Sequence, residues 1–439
     1  MGHRSFCAFL FWMKVLLATT LAFLGLGYFS LLVYQRRMWA VGNPKIWVPP
    51  PPKDFIDIPA DGSCAFTPDA AKGQRNRLEP EDGHFLFGFD LQWNNEQPPA
   101  IARKMGRHKP AVYNTFININ ETDFQKTSID WMAQQAQEAD AMLEITLLPN
   151  DPRPDRATPL QIENIPDDTL YAFAMQMKRV NSEYGVPVFL RYVHEMNAMV
   201  WSPNIGEAYP WGENTANTKP VTPETATLDT NGDGLISGTD DPYMPYWPGP
   251  EYVDWVGFSL YQYDHTGEPG RQTIARPGFV DFTNPLTGVD SKNVGVGAQT
   301  RLEFYVRFAQ NFNKPFMFSE TGAAYHVPGN DAAHGMVPLP ANPDETNINI
   351  KREWWRGMFS LINTGRYNNI KLACWFEELK NEPAFWDGRI QLEKDYRITW
   401  DAPVLNAFQA DLDNPQYNAK LRWADDYEWD CTGKLRAKS

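Results

Sequence analysis

The chain has 439 residues, 43% hydrophobic and 14% aromatic, enough apolar matter for one large core of α/β-barrel size. A net charge of -14 excludes nucleic acid and an anionic membrane surface as the main partner, and no basic run reverses that sign. The aromatic supply suits a sugar-binding cleft and an ordinary core equally well.

The first element in chain order is the uncharged apolar stretch 15–34, preceded by Lys14 and followed by Arg36 and Arg37. A helix of about 20 apolar residues spans a bilayer core. The stretch is longer than a signal-peptide core of about 7–15 residues. Segment 1–40 is therefore expected to be an uncleaved, single-pass membrane anchor with the main domain on the extracytosolic side. A cleaved signal and a secreted product is the alternative. Arg4 and Lys14 balance Arg36 and Arg37, so charge does not set the orientation.

Segment 41–82 reads as a proline-rich linker and lead-in. Its "NPKIWVPPPPK" (43–53) makes a stiff extended spacer. The main domain is expected at 83–439. Of four cysteines, Cys7 lies beside the anchor and Cys374 in an apolar run. Cys64 and Cys431 stand near the two ends of the remainder, where a disulfide and two free thiols are equally open readings. Asn120 opens the one glycosylation acceptor pattern.

Seven apolar runs follow: "HFLFGFDLQW" (84–93), "PAVYNTFINI" (110–119), "AMLEITLLP" (141–149), "VPVFLRYVHE" (186–195), "YVDWVGFSLY" (252–261), "KPFMFSE" (314–320) and "IKLACWFEE" (370–378). Near-continuous apolar strands are those of a parallel sheet buried on both faces. Helical patterns fall between them at 128–140, 166–185, 298–312 and 349–365. The 166–185 pattern has acids in its first turn and Gly185 at its end. This alternation predicts an α/β fold, and its length suits a (β/α)8 TIM-type barrel.

The interval 197–251 breaks the pattern. It is rich in Pro, Gly, Asn and Asp, and "MVWSPN" (199–204) follows Glu195 too closely to be a parallel neighbour. The barrel is accordingly expected to be incomplete around strands 4–5. Within the interval, "DTNGDGLISGTD" (229–240) fits a calcium loop. Asp229, Asn231, Asp233, the Leu235 carbonyl, Ser237 and Asp240 would be the ligands, around a turn at Gly234. A solvated acidic loop is the alternative. No flanking helices are evident, and the last ligand is Asp rather than the usual Glu.

Chemistry in such barrels sits at the C-terminal ends of strands. Two runs end in glutamate, Glu195 in "RYVHEMN" and Glu320 in "KPFMFSETG". Two carboxylates across one mouth are what retaining glycoside hydrolysis needs, at about 5–5.5 Å.

With these pieces, "YWPGPEYVDWVGFSLY" and "CWFEELKNEP", the region 84–400 resembles glycoside hydrolase family 26, whose members include endo-β-mannanases, mixed-linkage glucanases and β-1,3-xylanases. The resemblance implies a retaining mechanism with Glu195 as acid/base and Glu320 as nucleophile. It further implies that His194 contacts sugar, that Tyr261 hydrogen-bonds the nucleophile, and that Trp375 forms a sugar platform. Core packing is the alternative for Trp375. The family's stacking aromatic after "HEMN" has Trp201 as its nearest counterpart, and a helix expected between "HEMN" and "VWSPN" is missing. Two functions stay open. One is a membrane-anchored endo-β-glycanase acting on β-mannan or a related polysaccharide. The other is a non-catalytic glycan-binding or scaffolding subunit of a membrane complex.

Overall fold

The computed structural model describes residues 77–119, 123–148, 165, 167–192, 194, 219–236, 240–241, 243–262, 272–275, 280–287, 304–327, 343–384, 387–429 and 435–438. The anchor stretch 15–34, the proline spacer, Cys64, Asn120, Glu195, the "MVWSPN" piece with Trp201, Ser237 and Cys431 lie outside them. Among the described residues no helix is long and apolar enough to cross a membrane.

Seven parallel strands form the centre. They are β1 (Phe85–Leu91), β2 (Val112–Asn118), β3 (Met142–Leu148), β4 (Val188–Tyr192), β5 (Val256–Gln262), β6 (Phe316–Ala323) and β7 (Ile370–Glu377). All seven apolar runs thus become strands. Their order is β4-β3-β2-β1-β7-β6-β5. Consecutive strands are neighbours and the last pairs with the first, for example Leu86 with Leu372. That is the order of a (β/α)8 barrel opened at one place, between β4 and β5, where the chain was expected to lack part of a repeat. Helices α1 (Pro98–Met105), α2 (Asp123–Glu138), α3 (Asp167–Tyr184), α4 (Val280–Thr287), α5 (Asn347–Asn363) and α6 (Ala402–Leu412) accompany the strands.

Side chains alternate along each strand, so every strand contributes to two layers. Outward-facing Phe85, Phe87, Phe89, Phe316, Phe318 and Trp375 pack with Trp354, Trp355 and Phe359 of α5 and Phe408 of α6. Phe87 alone meets Phe89 at 5.4 Å and Phe359 at 5.7 Å, both edge-on. Such pairs add about 0.5–1.5 kcal/mol each beyond area burial. Inward-facing Leu86, Val112, Met142, Phe189, Met317 and Leu372 fill the lower lumen. Gly257 faces the same lumen. A Cβ there would lie 2.4 Å from the Met317 carbonyl oxygen, so no larger residue fits between β5 and β6.

Local sequence explains the helix ends. Gly185 closes α3 at φ 66°, a conformation only glycine adopts freely, and its N–H donates to the Asn181 carbonyl at 3.1 Å. Thr346 caps α5 by accepting from the Asn349 N–H at 3.2 Å, a contact worth about 1 kcal/mol. Asp411 on α6 then accepts from Arg352, Arg356 and Trp355 of α5. Burial works against its charge, but those donors prevail and hold its carboxyl at about 2.

Two expectations change. In the helix expected at 298–312, the described part is a π-helical turn, Tyr305–Gln310, with the Asn311 N–H reaching back to Val306 at 2.9 Å. Beyond β7 the chain also makes a hairpin that the apolar pattern does not announce. Its strands β8 (Leu379–Ala384) and β9 (Asp387–Asp395) are antiparallel, and β9 pairs with Tyr325–His326 just after β6. The hairpin therefore bridges the C-terminal ends of two barrel strands.

Candidate active site

Glu320 lies on β6 in the lumen, only 3% exposed. A bulge places it there. Phe258 is level with Phe318, but the next pair is Ser259 with Glu320, so Ser319 is an extra residue. Bulges of this kind re-aim side chains beside active sites. Ser319 bonds Glu144 across the lumen, and Glu320 is left for other partners.

Those partners come from the two strands flanking the opening. Arg191 on β4 donates through Nη1 to Glu320 Oε1 at 2.5 Å and through Nη2 to Ser259 Oγ of β5 at 3.1 Å. Tyr261 on β5 donates its hydroxyl to Glu320 Oε2 at 2.8 Å, the contact that the family resemblance asks for. Burial opposes the charge on Glu320. The Arg191 charge and the hydrogen bonds from Arg191 and Tyr261 outweigh it, so the carboxyl sits below its ordinary value and is ionised. The guanidinium also spans β4 and β5, which share no backbone ladder among the described residues. Lower down, Phe189 of β4 also packs edge-on against Trp255, the residue before β5, at 5.2 Å.

Beside this pair lies a row that the sequence reading did not single out. Asp90 on β1, Asn114 on β2 and Glu144 on β3 are level with one another and fully buried. Neither oxygen of Asp90 has a hydrogen-bond partner among the described residues. Burial, then the neighbouring Glu320, Glu378 and Glu144, push its carboxyl well above the ordinary range. Burial also raises Glu144 to about 7, against Arg191 and a 3.3 Å bond from Cys374 Sγ. At the end of β7, Glu378 is raised to about 7 by burial, with Glu320 adding to the shift. The lumen thus holds one carboxylate kept charged and several carboxyls kept near neutral. Chemically, that separates a group able to attack from groups able to hold protons.

The other sequence candidates divide. His194 follows β4, stands edge-on to Phe116 at 5.4 Å, and is lowered to about 4 by burial, so its imidazole is neutral. Glu195 and Trp201 lie outside the described residues. Trp375 is corrected: it is wholly buried, faces the helices beside Trp355, and donates Nε1 to the Tyr396 carbonyl at 2.8 Å. A platform needs an open face, and the core-packing alternative is the one observed. Strand alternation gives the lumen position to the next residue, Phe376, which meets Tyr261 at 5.7 Å.

In the 229–240 loop, Asp229 accepts from the Gly232 and Gly234 N–H groups, and Asn231 from that of Asp233. Asp233 accepts from the Leu235 N–H, and Asp240, which is buried, from Thr230. Gly232 and Gly234 take positive φ, as the tight turn requires. Among the described residues no three acidic, His or Cys side chains gather in a metal-holding group. The described oxygens nonetheless alternate around a glycine turn, a donor set suited to a hard cation.

Arg191, Asp90 and Glu144 are the residues missed from the sequence. A charged group inside an apolar strand was their signal, since it persists in a lumen only with a partner or a use.

A scan against protein-family models returns no match, and neither does a search of the curated proteins. Solved structures do show likeness. A modular endo-β-1,4-mannanase from Cellulomonas fimi is 15% identical, over 82% of this chain and 77% of its own, with a TM-score of 0.40. GH26C from Muricauda sp. is 13% identical, over 88% and 100%, with a TM-score of 0.42. Fungal β-1,4-galactanases are similar at 13%, over 74% and 99%, with a TM-score of 0.41.

Proposed function

We propose that the domain is a retaining endo-β-glycanase acting on β-mannan or a related β-glycan, with Glu320 as nucleophile and Glu195 as acid/base. The observation that supports this reading is the state of Glu320. It is a buried carboxylate at the C-terminal end of a barrel strand, held ionised by Arg191 and Tyr261. A charge is costly to enclose, and this one faces the mouth where barrel chemistry occurs. In the first step Glu320 would attack the anomeric carbon while Glu195 protonates the departing oxygen. In the second, water would take the sugar from Glu320 as Glu195 removes its proton. Tyr261 fixes the attacking carboxylate before the reaction, so little reorganisation remains for the transition state.

The same proposal covers the N-terminal segment and the 229–240 loop. The stretch 15–34 would anchor the domain to a membrane and the proline spacer would hold it off the surface, with secretion as the competing outcome. The 229–240 loop would bind calcium in a structural role.

A second reading is favoured by one observation, the absence of a ladder between β4 and β5 among the described residues. It takes the protein as a glycan-binding or scaffolding subunit of a membrane complex. Incubation with β-mannan, β-glucan and β-xylan, with products resolved by chromatography, separates the two. Hydrolysis that retains anomeric configuration and is abolished in Glu320→Ala is expected. Glu195→Ala should impair cleavage of polysaccharide more than of aryl glycosides with good leaving groups, which need little acid assistance. No product from any of these polymers would decide for the second reading.

A further inference from the structure

We propose that Trp400 forms the floor of a sugar-binding subsite on the rim between β7 and β1, taking one pyranose of a neutral β-linked polysaccharide. It takes the place of the platform that Trp375 does not provide.

The location follows from the backbone. The Tyr396 N–H donates to the Glu378 carbonyl at 3.0 Å, and the Ile398 and Thr399 N–H groups donate to the Glu377 carboxylate at 2.7 and 2.6 Å. Residues 396–399 are therefore fastened to the C-terminal end of β7, and Trp400 is the next residue. On the other side stands Lys104 of α1, with its ammonium 5.9 Å from the ring centre and 2.5 Å from Glu96 in the loop after β1. The ring thus sits at the same end of the barrel as Glu320.

An indole is costly to leave in water, yet Trp400 is 61% exposed. It is also held in place. The Arg397 guanidinium lies 4.5 Å from the ring centre and is pinned in turn by Asp395 through bonds of 3.0 and 3.3 Å. A rigid aromatic surface that is largely open to solvent, with cationic hydrogen-bond donors lying over the ring, suits a pyranose. The axial C–H face packs on the ring, and the hydroxyls reach the charged fringe. That fringe pairs Arg397 with Asp395 and Lys104 with Glu96, which leaves no surplus positive charge to select an acidic sugar.

The inference rests on the glycan reading of this mouth but not on hydrolysis. The test is affinity electrophoresis of the full chain in detergent through gels containing soluble β-mannan, mixed-linkage β-glucan or an acidic polyuronate. Retardation by a neutral polymer is expected, with binding weakened about tenfold in Trp400→Ala, a loss typical of one aromatic contact. Trp400→Phe should retain most of the binding. Tyr252→Ala should bind as the parent does, because Tyr252 is 75% exposed but precedes β5 at the opposite end of the barrel. A thermal melt of each variant reports its folding. Undiminished binding by a folded Trp400→Ala overturns the proposal, as does retardation by the polyuronate alone or by none of the polymers. Loss of binding in Trp400→Ala without detectable hydrolysis by the parent would support the subsite and remove the catalytic reading.

Discussion

The two sides of this barrel are closed by different physics. On the side where β2, β1 and β7 meet, backbone ladders run unbroken and both faces are packed, with Phe85, Phe87 and Phe89 outward and Leu86 inward. On the side where β4 approaches β5, the described residues share no ladder, and Arg191 reaches across to Ser259 and Glu320. The first side depends on shape and apolar area. The second has an apolar contact, Phe189 on Trp255, and beyond it along β4 one charge meeting another, and the group it meets is the proposed nucleophile. Stability and chemistry are separable on one side and share the same atoms on the other.

The sharpest way to break the contrast is a pair of substitutions. Phe87→Ala should lower unfolding free energy by about 3–5 kcal/mol, as large-to-small core changes do. Activity per folded molecule should hardly change. Arg191→Ala should cost a similar 3–5 kcal/mol, because it leaves Glu320 buried without its partner. It should also abolish turnover. Urea titrations beside rate measurements on folded protein decide between them. If Arg191→Ala unfolds no more easily than the parent, its bridge does not close the cylinder.

The neutral row gives a pH test of about 3 kcal/mol at most, the linkage equivalent of moving Glu144 from its usual range to about 7. The folded protein holds that proton where the unfolded chain has lost it. Stability should therefore be full below about pH 4.5, fall as pH rises to about 7, and level off above. Glu144→Gln should match the parent at pH 5 and exceed it at pH 8, as read from melting temperatures. A constant difference across that range would remove Glu144 as the titrating group.

Tyr261→Phe deletes a bond to a charged acceptor, about 1.5–3 kcal/mol, and should raise the Glu320 carboxyl. The acidic limb of the activity profile should move to higher pH. An unmoved limb would mean that Arg191 alone sets the ionisation.

The calcium loop offers an effect of at most about 2.7 kcal/mol, at a hundredfold excess of ion over its Kd. Chelator should lower the melting temperature of the parent and leave Asp229→Ala unchanged. A parent indifferent to chelator would return the loop to a solvated acidic turn.

What the sequence made legible follows the same division. Long apolar runs mark strands buried on two faces, so all seven barrel strands could be read from composition alone. Direction within a strand was harder. Trp375 and Phe376 are adjacent aromatics, and only the register against β1, Phe89 with Trp375 and Asp90 with Phe376, decides which enters the lumen. Arg191 was visible in "RYVHEMN" but carried no periodic signal, since its partners lie on strands far along the chain. The hairpin of β8 and β9 escaped because its strands carry Lys, Glu and Asp throughout. Antiparallel strands open to water on one face lack the apolar run that betrays parallel ones.

The pairing of β1 with β7 also sets a timetable for synthesis. Leu86 cannot find Leu372, nor can Phe85 find Leu421, until nearly the whole domain has left the ribosome. At 5–20 residues per second that delay is roughly 15–60 s. Throughout it, the phenylalanines of β1 have no permanent neighbours on that flank. Contacts so distant in sequence are slow to form, and the waiting edge invites other chains. Production of this protein is therefore expected to be limited by aggregation of nascent chains, and raising chaperone supply should improve the soluble yield more than any change at the barrel mouth.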